Sequence, residues 1–266
     1  MRNGQLKPAY NLQHVVNSGY VVYVSSSSHP NDQFTLKELV EDMRKDLSLP
    51  IKAITADAGY FSEENLKFLE DSGIMSYIKP MDYEKSKTRA YKKDIGLARN
   101  MAYDAETDTY RCHEGKTLTK EKEYTQKTRS GYERHISVYT CASCSECKHK
   151  TECIHGNHCK TPMDERNKKL YVSHEGVRLE NDNLERIQSE TGKQYRLNRS
   201  IQAEGSFAQL KWNHPYIRYR HRGMQKTEAD SILNAMGLNM VHLHNRIQGK
   251  NTGDHLHDLK TTDQAA

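Results

Sequence analysis

Two acidic residues, a cysteine cluster and a basic stretch carry the chemistry that can be read in this chain. Asp57 closes a short β-type run, Ile51 to Thr55, and Gly59 turns the chain just after it. A carboxylate at the end of a parallel strand sits where open α/β sheets build their sites. An Asp there also serves as an ordinary turn or cap residue. Glu204 lies far downstream in a basic, helix-like stretch, and Lys211 follows it by seven residues. That spacing puts Glu204 and Lys211 on one helix face about two turns apart.

The cysteines make a second pattern. Cys141, Cys144, Cys147 and Cys153 read C-x2-C-x2-C-x5-C, with Cys112, Cys159, His149, His155 and His158 nearby. Four thiolates suit a tetrahedral structural Zn2+, for which Cys-x2-Cys is the usual bite. Iron–sulfur clusters use similar spacing, and reduced free thiols are the third reading. In a reducing compartment such clustering points to metal rather than disulfides.

The third pattern is charge. The chain has 266 residues, 40 Lys and Arg against 35 Asp and Glu, and a formal net charge of +5. The excess is small, so its distribution decides more than its size. Lys193, Arg196, Arg199, Lys211, Arg218, Arg220, Arg222 and Lys226 fall within 34 residues whose one acid is Glu204. Tyr195, Trp212, Tyr216 and Tyr219 are interleaved with them. A solvated charged face accounts for such a run, and a phosphate-contacting surface accounts for it better. The nearby His214, His221, His242 and His244 are more simply phosphate contacts or exposed residues than general bases.

These groups need elements to position them. Asn11 to Asn17 and Tyr20 to Ser25 read as strands joined by a Ser18-Gly19 turn. Thr35 and Glu38 have the form of a capping box opening a helix with Leu36, Leu39, Val40, Met43 and Leu47 on one stripe. Strand Ile51 to Thr55, a helix from Ser62 to Asp71 stopped by Gly73, and strand Ile74 to Ile78 follow. From about 81 to 190 the periodicity dissolves into a polar region that predicts a partly irregular insertion. The pattern returns near Tyr195, with Ala203, Phe207 and Leu210 as an apolar stripe. A last helix, Thr227 to Ile247, shows Ile232, Met236, Met240, Leu243 and Ile247 on one face. Hydrophobic residues make up 35% and mean hydropathy is −0.94, so the core is lean. Nowhere do about 18 apolar residues run together, and no secretory leader opens the chain, which predicts a soluble, cytoplasmic protein.

The element order with Asp57 closing the third strand resembles the ribonuclease-H-like core of DDE transposases from bacterial insertion sequences. Asn3-Gly4-Gln5-Leu6-Lys7-Pro8-Ala9-Tyr10-Asn11-Leu12-Gln13, Asp57-Ala58-Gly59-Tyr60 and Asn198-Arg199-Ser200-Ile201-Gln202-Ala203-Glu204-Gly205-Ser206-Phe207 look like the 1182-type branch. The Cys-rich insertion and the closing Leu238-Asn239-Met240 to His244-Asn245 helix fit as well. The resemblance implies an α/β fold, a ribonuclease-H-like mixed sheet with flanking helices interrupted by the Cys-rich insertion. Residues 1–80 would begin the core, 81–190 form the insertion, 191–250 complete the core, and 251–266 form a polar tail.

It further implies three carboxylates holding two divalent ions, Mg2+ or Mn2+, for phosphodiester cleavage and strand transfer. Asp57 would be the second acid and Glu204 the third. Tyr195, Arg199 and Lys211 would support catalysis or grip phosphate, although Arg199 stands five residues before Glu204 where the family pattern has four. Arg196, Arg218, Arg220 and Arg222 would contact DNA, both transposon ends and target, and the resemblance leaves room for a homodimer. The first acid of this fold lies on a strand preceding the Asn11 hairpin, where the ten residues present include no Asp or Glu. Asp32, the first acid in the chain, is a candidate substitute and more simply a turn residue. The resemblance therefore predicts the C-terminal portion of a transposase, weak in metal binding, marginal in stability, and cleaving little by itself. A non-catalytic nucleic-acid-binding protein with a zinc-stapled module is the alternative reading.

Overall fold

Alternating apolar residues on either side of a Ser-Gly pair dictate the first element. Strands β1 (Asn11–Asn17) and β2 (Tyr20–Ser27) pair antiparallel. Ser18 and Gly19 take φ of 53° and 82°, the two positive values that a type I′ hairpin turn requires. A computed structural model of the chain describes residues 9–48, 50–156, 159–210, 219–250, 256, 257 and 259. The chain divides into two units, Met1–Lys79 with Asp182–Ala266, and Pro80–Asn181.

In the first unit, α1 (Leu36–Leu47) buries Leu36, Leu39, Val40 and Met43, the stripe expected from its 3.6-residue period. The anticipated capping box does not form: a 3-10 turn, Asp32–Phe34, precedes the helix, and the Thr35 side chain makes no capping hydrogen bond. The Thr35 hydroxyl instead donates to Asp32 O at 2.8 Å and accepts from Gln13 Nε2. β3 (Ala53–Ala56) and β4 (Met75–Ile78) pair in parallel across α2 (Glu63–Asp71). Ser62 caps α2 by accepting the Asn65 N–H at 3.1 Å. Leu36, Val40, Leu69, Ile74 and Ile78 form the common core of these elements. Among the described residues the two strand pairs are separate two-stranded sheets rather than one mixed sheet.

The second unit contains α3 (Tyr83–Ser86), α4 (Arg89–Lys93), β5 (Ala102–Asp104) and β6 (Thr109–Arg111). β7 (Thr117–Lys127), β8 (Glu133–Cys141), α5 (Lys150–Cys153) and β9 (Lys169–Val172) follow. Its strands pair antiparallel in sequence order, β5-β6-β7-β8-β9. The expectation of a partly irregular region thus gives way to a continuous sheet. β7 alternates Thr, Lys and Glu and buries only Leu118, so its backbone ladder to β8 holds it and no apolar period betrays it. The core gathers Met101, Tyr110, Leu118, Tyr139, Cys141, Cys144, Leu170 and Val172.

Helix α6 (His174–Gln188) runs across the division between the units and leads to α7 (Glu190–Arg199), a π-helical turn at Ser200–Glu204, α8 (Gly205–Ala208) and α9 (Met224–Ile247). The apolar face of α9 seen in the sequence is the exposed one, including Ile232, Met236, Met240, Leu243 and Ile247. The buried face is Thr227, Ser231, Ala235, Leu238 and His242. Small residues let α9 approach β2, where Ala235 and Leu238 meet Val21, Val24 and Leu210. No described helix is long and apolar enough to cross a membrane.

Isolated strand pairs leave backbone edges to satisfy, and helix asparagines satisfy them. Asn183 on α6, 0% exposed, accepts the Ile78 N–H at 3.1 Å and donates to Ile78 O at 2.6 Å. Asn239 on α9 accepts the Val21 N–H at 2.9 Å and donates to Val21 O at 2.8 Å. Replacing Asn183 by Leu keeps the volume and strands one donor and one acceptor, each costing about 1–3 kcal/mol. Asn183→Leu is expected to lower the urea unfolding free energy by roughly 2–6 kcal/mol. A change under about 0.5 kcal/mol, the scale of a neutral surface substitution, would remove this account of the edge.

Candidate active site

Asp57 emerges from the C-terminal end of β3 in extended backbone (φ −68°, ψ 162°) and starts a 3-10 turn, Ala58–Tyr60, in which Tyr60 N–H reaches Asp57 O at 3.0 Å. The turn uses its main chain, so the carboxylate is left for other partners. It is 60% exposed, and its Oδ2 lies 2.6 Å from Nη2 of Arg199, which is 23% exposed. Arg199 ends α7, so this ion pair joins two blocks of sequence 142 positions apart. The spacing of the residues held no signal for the pairing.

Asp32 comes to the same turn. A Cβ added at Gly59 would stand 2.9 Å from Asp32 Oδ2, so glycine is what lets the two segments approach. Asn11 Nδ2 donates to Asp32 Oδ1 at 2.6 Å. Tyr60 lies among these groups. Burial first, then the carboxylates of Asp32 and Asp57, push its phenol well above the usual range, with Arg199 pulling the other way. Asp32 is thus a turn residue, as its position suggested, that also faces the Asp57 loop.

Glu204 ends the π-helical turn and is exposed, its Oε1 accepting from Ser200 Oγ at 3.1 Å. Ser200 thereby holds the carboxylate back along its own helix. Tyr195, four residues before Arg199 on α7, packs its ring 4.8 Å from that of Tyr77 on β4. Arg196 is half-buried on α7, whereas Arg220 and Arg222 are exposed on the approach to α9. Lys211 and Arg218, together with Trp212, His214 and Tyr216, lie outside the described residues. The carboxylates are hard oxygen donors of the kind that Mg2+ takes. Among the described residues no group of three or more His, Cys, Asp or Glu side chains is placed to hold a metal ion.

The thiols belong to the second unit. Cys141 and Cys144 are buried in its core, Cys112 and Cys153 are partly buried against it, Cys147 is half-buried and Cys159 is exposed. All six are free. Burial, together with the neighbouring Cys144, raises the Cys141 thiol to about 11. Burial also raises Cys153, with Lys168 opposing and Cys112, Cys144 and Cys147 adding to it. His149 and His155 turn to carboxylates, His149 Nε2 to Glu114 at 3.1 Å and His155 Nε2 to Asp94 at 2.9 Å. His158 lies outside the described residues.

The family model of a transposase DDE domain matches residues 111–244. The chain belongs to the transposase DDE domain family. No curated protein and no solved structure matches it. The matched span of this transposase contains every clustered cysteine and Glu204 with its flanking basic residues, and it leaves Asp57 outside.

The helical segment bearing Glu204 is seated on β1 by an aromatic contact. The His14 ring stacks on Phe207 at 4.3 Å and 11°, with Nδ1 3.3 Å from Ser206 Oγ. His14 Nε2 is buried with no hydrogen-bond partner among the described residues. Burial lowers the His14 pKa from 6.5 to about 4. The unfolded chain therefore takes up this proton first as pH falls, and the transposase loses stability through the window from about 6.5 down to about 4. Replacing His14 by Phe, which can still stack on Phe207, should flatten the urea midpoint across that window. An unchanged pH dependence would assign the acid sensitivity to other groups.

Proposed function

We propose that this transposase contributes to metal-dependent cleavage and transfer of DNA strands, as in the 1182-type branch of insertion sequences, with Asp57 and Glu204 as two of its acids. The observation that carries the reading is the Asp57–Arg199 pair at 2.6 Å. It ties the strand-end carboxylate to the helix that continues through the π-turn to Glu204, the order of parts a ribonuclease-H-like core requires. Rare π-helical turns occur often at functional sites.

Asp57 and Glu204 would hold the divalent cation, Mg2+ or Mn2+. When bound, such ions activate the attacking oxygen and stabilise the leaving one. The chain's own part is orientation and charge. Arg199 fixes one oxygen of Asp57, and Ser200 fixes one oxygen of Glu204. Tyr195, packed on Tyr77, would steady α7, and Lys211 would add a cation beyond Glu204. Arg196, Arg218, Arg220 and Arg222 would follow DNA phosphates, which position the duplex without reading it. In the second unit the cysteine cluster would hold a structural Zn2+, a staple for the turns that carry the cysteines.

The test uses DNA carrying the sequences that flank this transposase's own gene. Asp57→Ala and Glu204→Ala should each abolish Mg2+-dependent cleavage while DNA affinity stays within about threefold, since neither change removes a phosphate contact. Cleavage that survives either change would overturn the assignment of that acid. If only binding is seen, the DNA surface can still be weighed: Arg220→Ala with Arg222→Ala should reduce the slope of log K against log salt by about 1.8, at roughly 0.9 per phosphate contact. An unaltered slope would take both residues out of the DNA surface.

A further inference from the structure

Helix α9 carries an apolar seam on the side turned away from the hairpin. Leu233, Met236, Met240, Leu243 and Ile247 follow one another at intervals of three, four, three and four residues, the a and d positions of a heptad repeat. All five are between 52% and 72% exposed. Exposed Ala229 continues the series one step toward the N-terminus. The face that meets the hairpin, Thr227, Ser231, Ala235, Leu238 and His242, lies opposite. Single exposed apolar residues are ordinary, and a contiguous row of them marks a contact surface. A spacing that averages 3.5 residues keeps the row facing a second helix along its whole length.

Gly237 points the same way. It sits in the middle of α9, is exposed, and has nothing within 4 Å of where a Cβ would stand. Glycine weakens a helix interior, and no described neighbour demands one here. It occupies an e position, beside the seam, where a missing side chain lets another helix come close.

The seam is complementary to itself. Laid antiparallel on a second α9, it sets Leu233 of one copy on Leu243 of the other, Met236 on Met240, and Ala229 on Ile247. Each is an a-to-d layer, and a two-fold axis repeats it. The next layer would oppose Lys226 and Lys250, but α9 ends at Ile247 before it can form. Charge then decides the direction. In the antiparallel pair the e positions Asp230 and His244 face each other on both sides of the axis, with Gly237 on Gly237 between them. A parallel pair would instead place Ile232 beside Gly237 and Asn239 beside His244, with no opposite charges, and Asn239 is already bonded to Val21. The antiparallel pair also brings Glu228 and Asp230, near one helix N-terminus, to the other's C-terminal turns with His244 and Arg246, and it opposes the helix dipoles.

We propose that the surface of α9 made by Leu233, Met236, Met240, Leu243 and Ile247 is a homodimer interface, in which two copies of this chain pair their α9 helices antiparallel. The interface stands apart from the assignment of Asp57 and Glu204, and either can fail without the other. One helix from each copy makes a small interface, so association is of moderate strength.

Sedimentation equilibrium on the full chain, freed of nucleic acid, provides the test. A concentration-dependent dimer is expected, with a Kd of roughly 1–100 µM. Leu233→Glu with Met240→Glu should weaken association at least about a hundredfold, since the axis places each charge in the seam twice. Leu233→Gln with Met240→Gln, which adds no charge, should weaken it at least about tenfold and leave the helical circular dichroism and urea midpoint of the dilute chain unchanged. His244→Glu should raise Kd at least about threefold by setting Glu against Asp230, and adding Asp230→Lys should bring it back to within about twofold of the parent or lower. A parent chain that stays monomeric to about 100 µM, or a dimer indifferent to both seam pairs, overturns the interface. A dimer lost with the seam pairs, but in which Asp230→Lys fails to rescue His244→Glu, overturns the antiparallel register.

Discussion

One residue's backbone on β4, answered by a single side chain, fixes much of the first unit. Ile78 offers an N–H and a C=O on the side of β4 away from β3, and Asn183 takes both from within α6. In a sheet another strand would do this. Here a buried amide does, and a buried backbone group left unpaired would cost about as much as the hydrogen bond it lacks. Arg186, one helical turn on, donates to Ser76 O at 3.1 Å and Ser76 Oγ at 3.0 Å. The final turns of α6 are thereby registered along β4. The Ser189 cap, accepting Gly192 N–H at 3.0 Å, then sets where α7 starts. Ten residues later α7 delivers Arg199 to Asp57. Asn239 repeats the device at Val21 and sets α9 on the hairpin.

This order of dependence gives the Asp57–Arg199 pair its meaning. An ion pair as exposed as this contributes at most about 1 kcal/mol, so it does not hold β3 to α7. Asn183 and Arg186 register α6 on β4, Tyr195 packs α7 on Tyr77 of the same strand, and the pair reports the outcome. Its local effect is orientation. The guanidinium engages one oxygen of Asp57, and the 3-10 turn satisfies its own backbone without the other. The same economy holds at Glu204, where Ser200 engages one oxygen and solvent meets the remainder. Each acid is thus held at one oxygen while its side chain stays exposed.

Legibility in the sequence followed how local each cause was. The hairpin, α1, α2, β3 and β4 were readable because a Ser-Gly turn, a 3.6-residue stripe, the Ser62 cap and Gly73 act within a few residues. The Thr35 capping box failed because Gln13 and Asp32, brought by the hairpin and its following turn, compete for the same hydroxyl. The β5–β9 sheet was missed because β7 carries its strand character in Thr and in backbone pairing, with Lys and Glu on both faces. On α9 the large residues drew attention, yet helix-to-strand proximity is set by what is small, Ser231 and Ala235, and by the reach of Asn239. Asp57 and Glu204 stood out in the sequence by type and position, whereas their side-chain partners did not. The approach of Asp32 to Gly59 and the choice of Arg199 as the partner of Asp57 are tertiary facts with no short-range signature.

The second unit is held differently, by extensive ladders around a core rich in tyrosine and cysteine. Its cross-strand charge pairs, Lys127 with Glu133 at 2.9 Å and Lys169 with Glu121 at 2.9 Å, are exposed and contribute little. A polar knot does more: buried Tyr139 donates to Asp108 and lies 2.6 Å from His174 Nε2, while Tyr103 donates to Asp108 at 2.9 Å. That knot fixes the β5–β6 turn to β8 and the start of α6. Beyond it, the other end of the unit, from the Cys112 turn to α5, has cysteines where a larger domain would have leucines. A thiol fills little volume and donates weakly, so as a core this end is underbuilt.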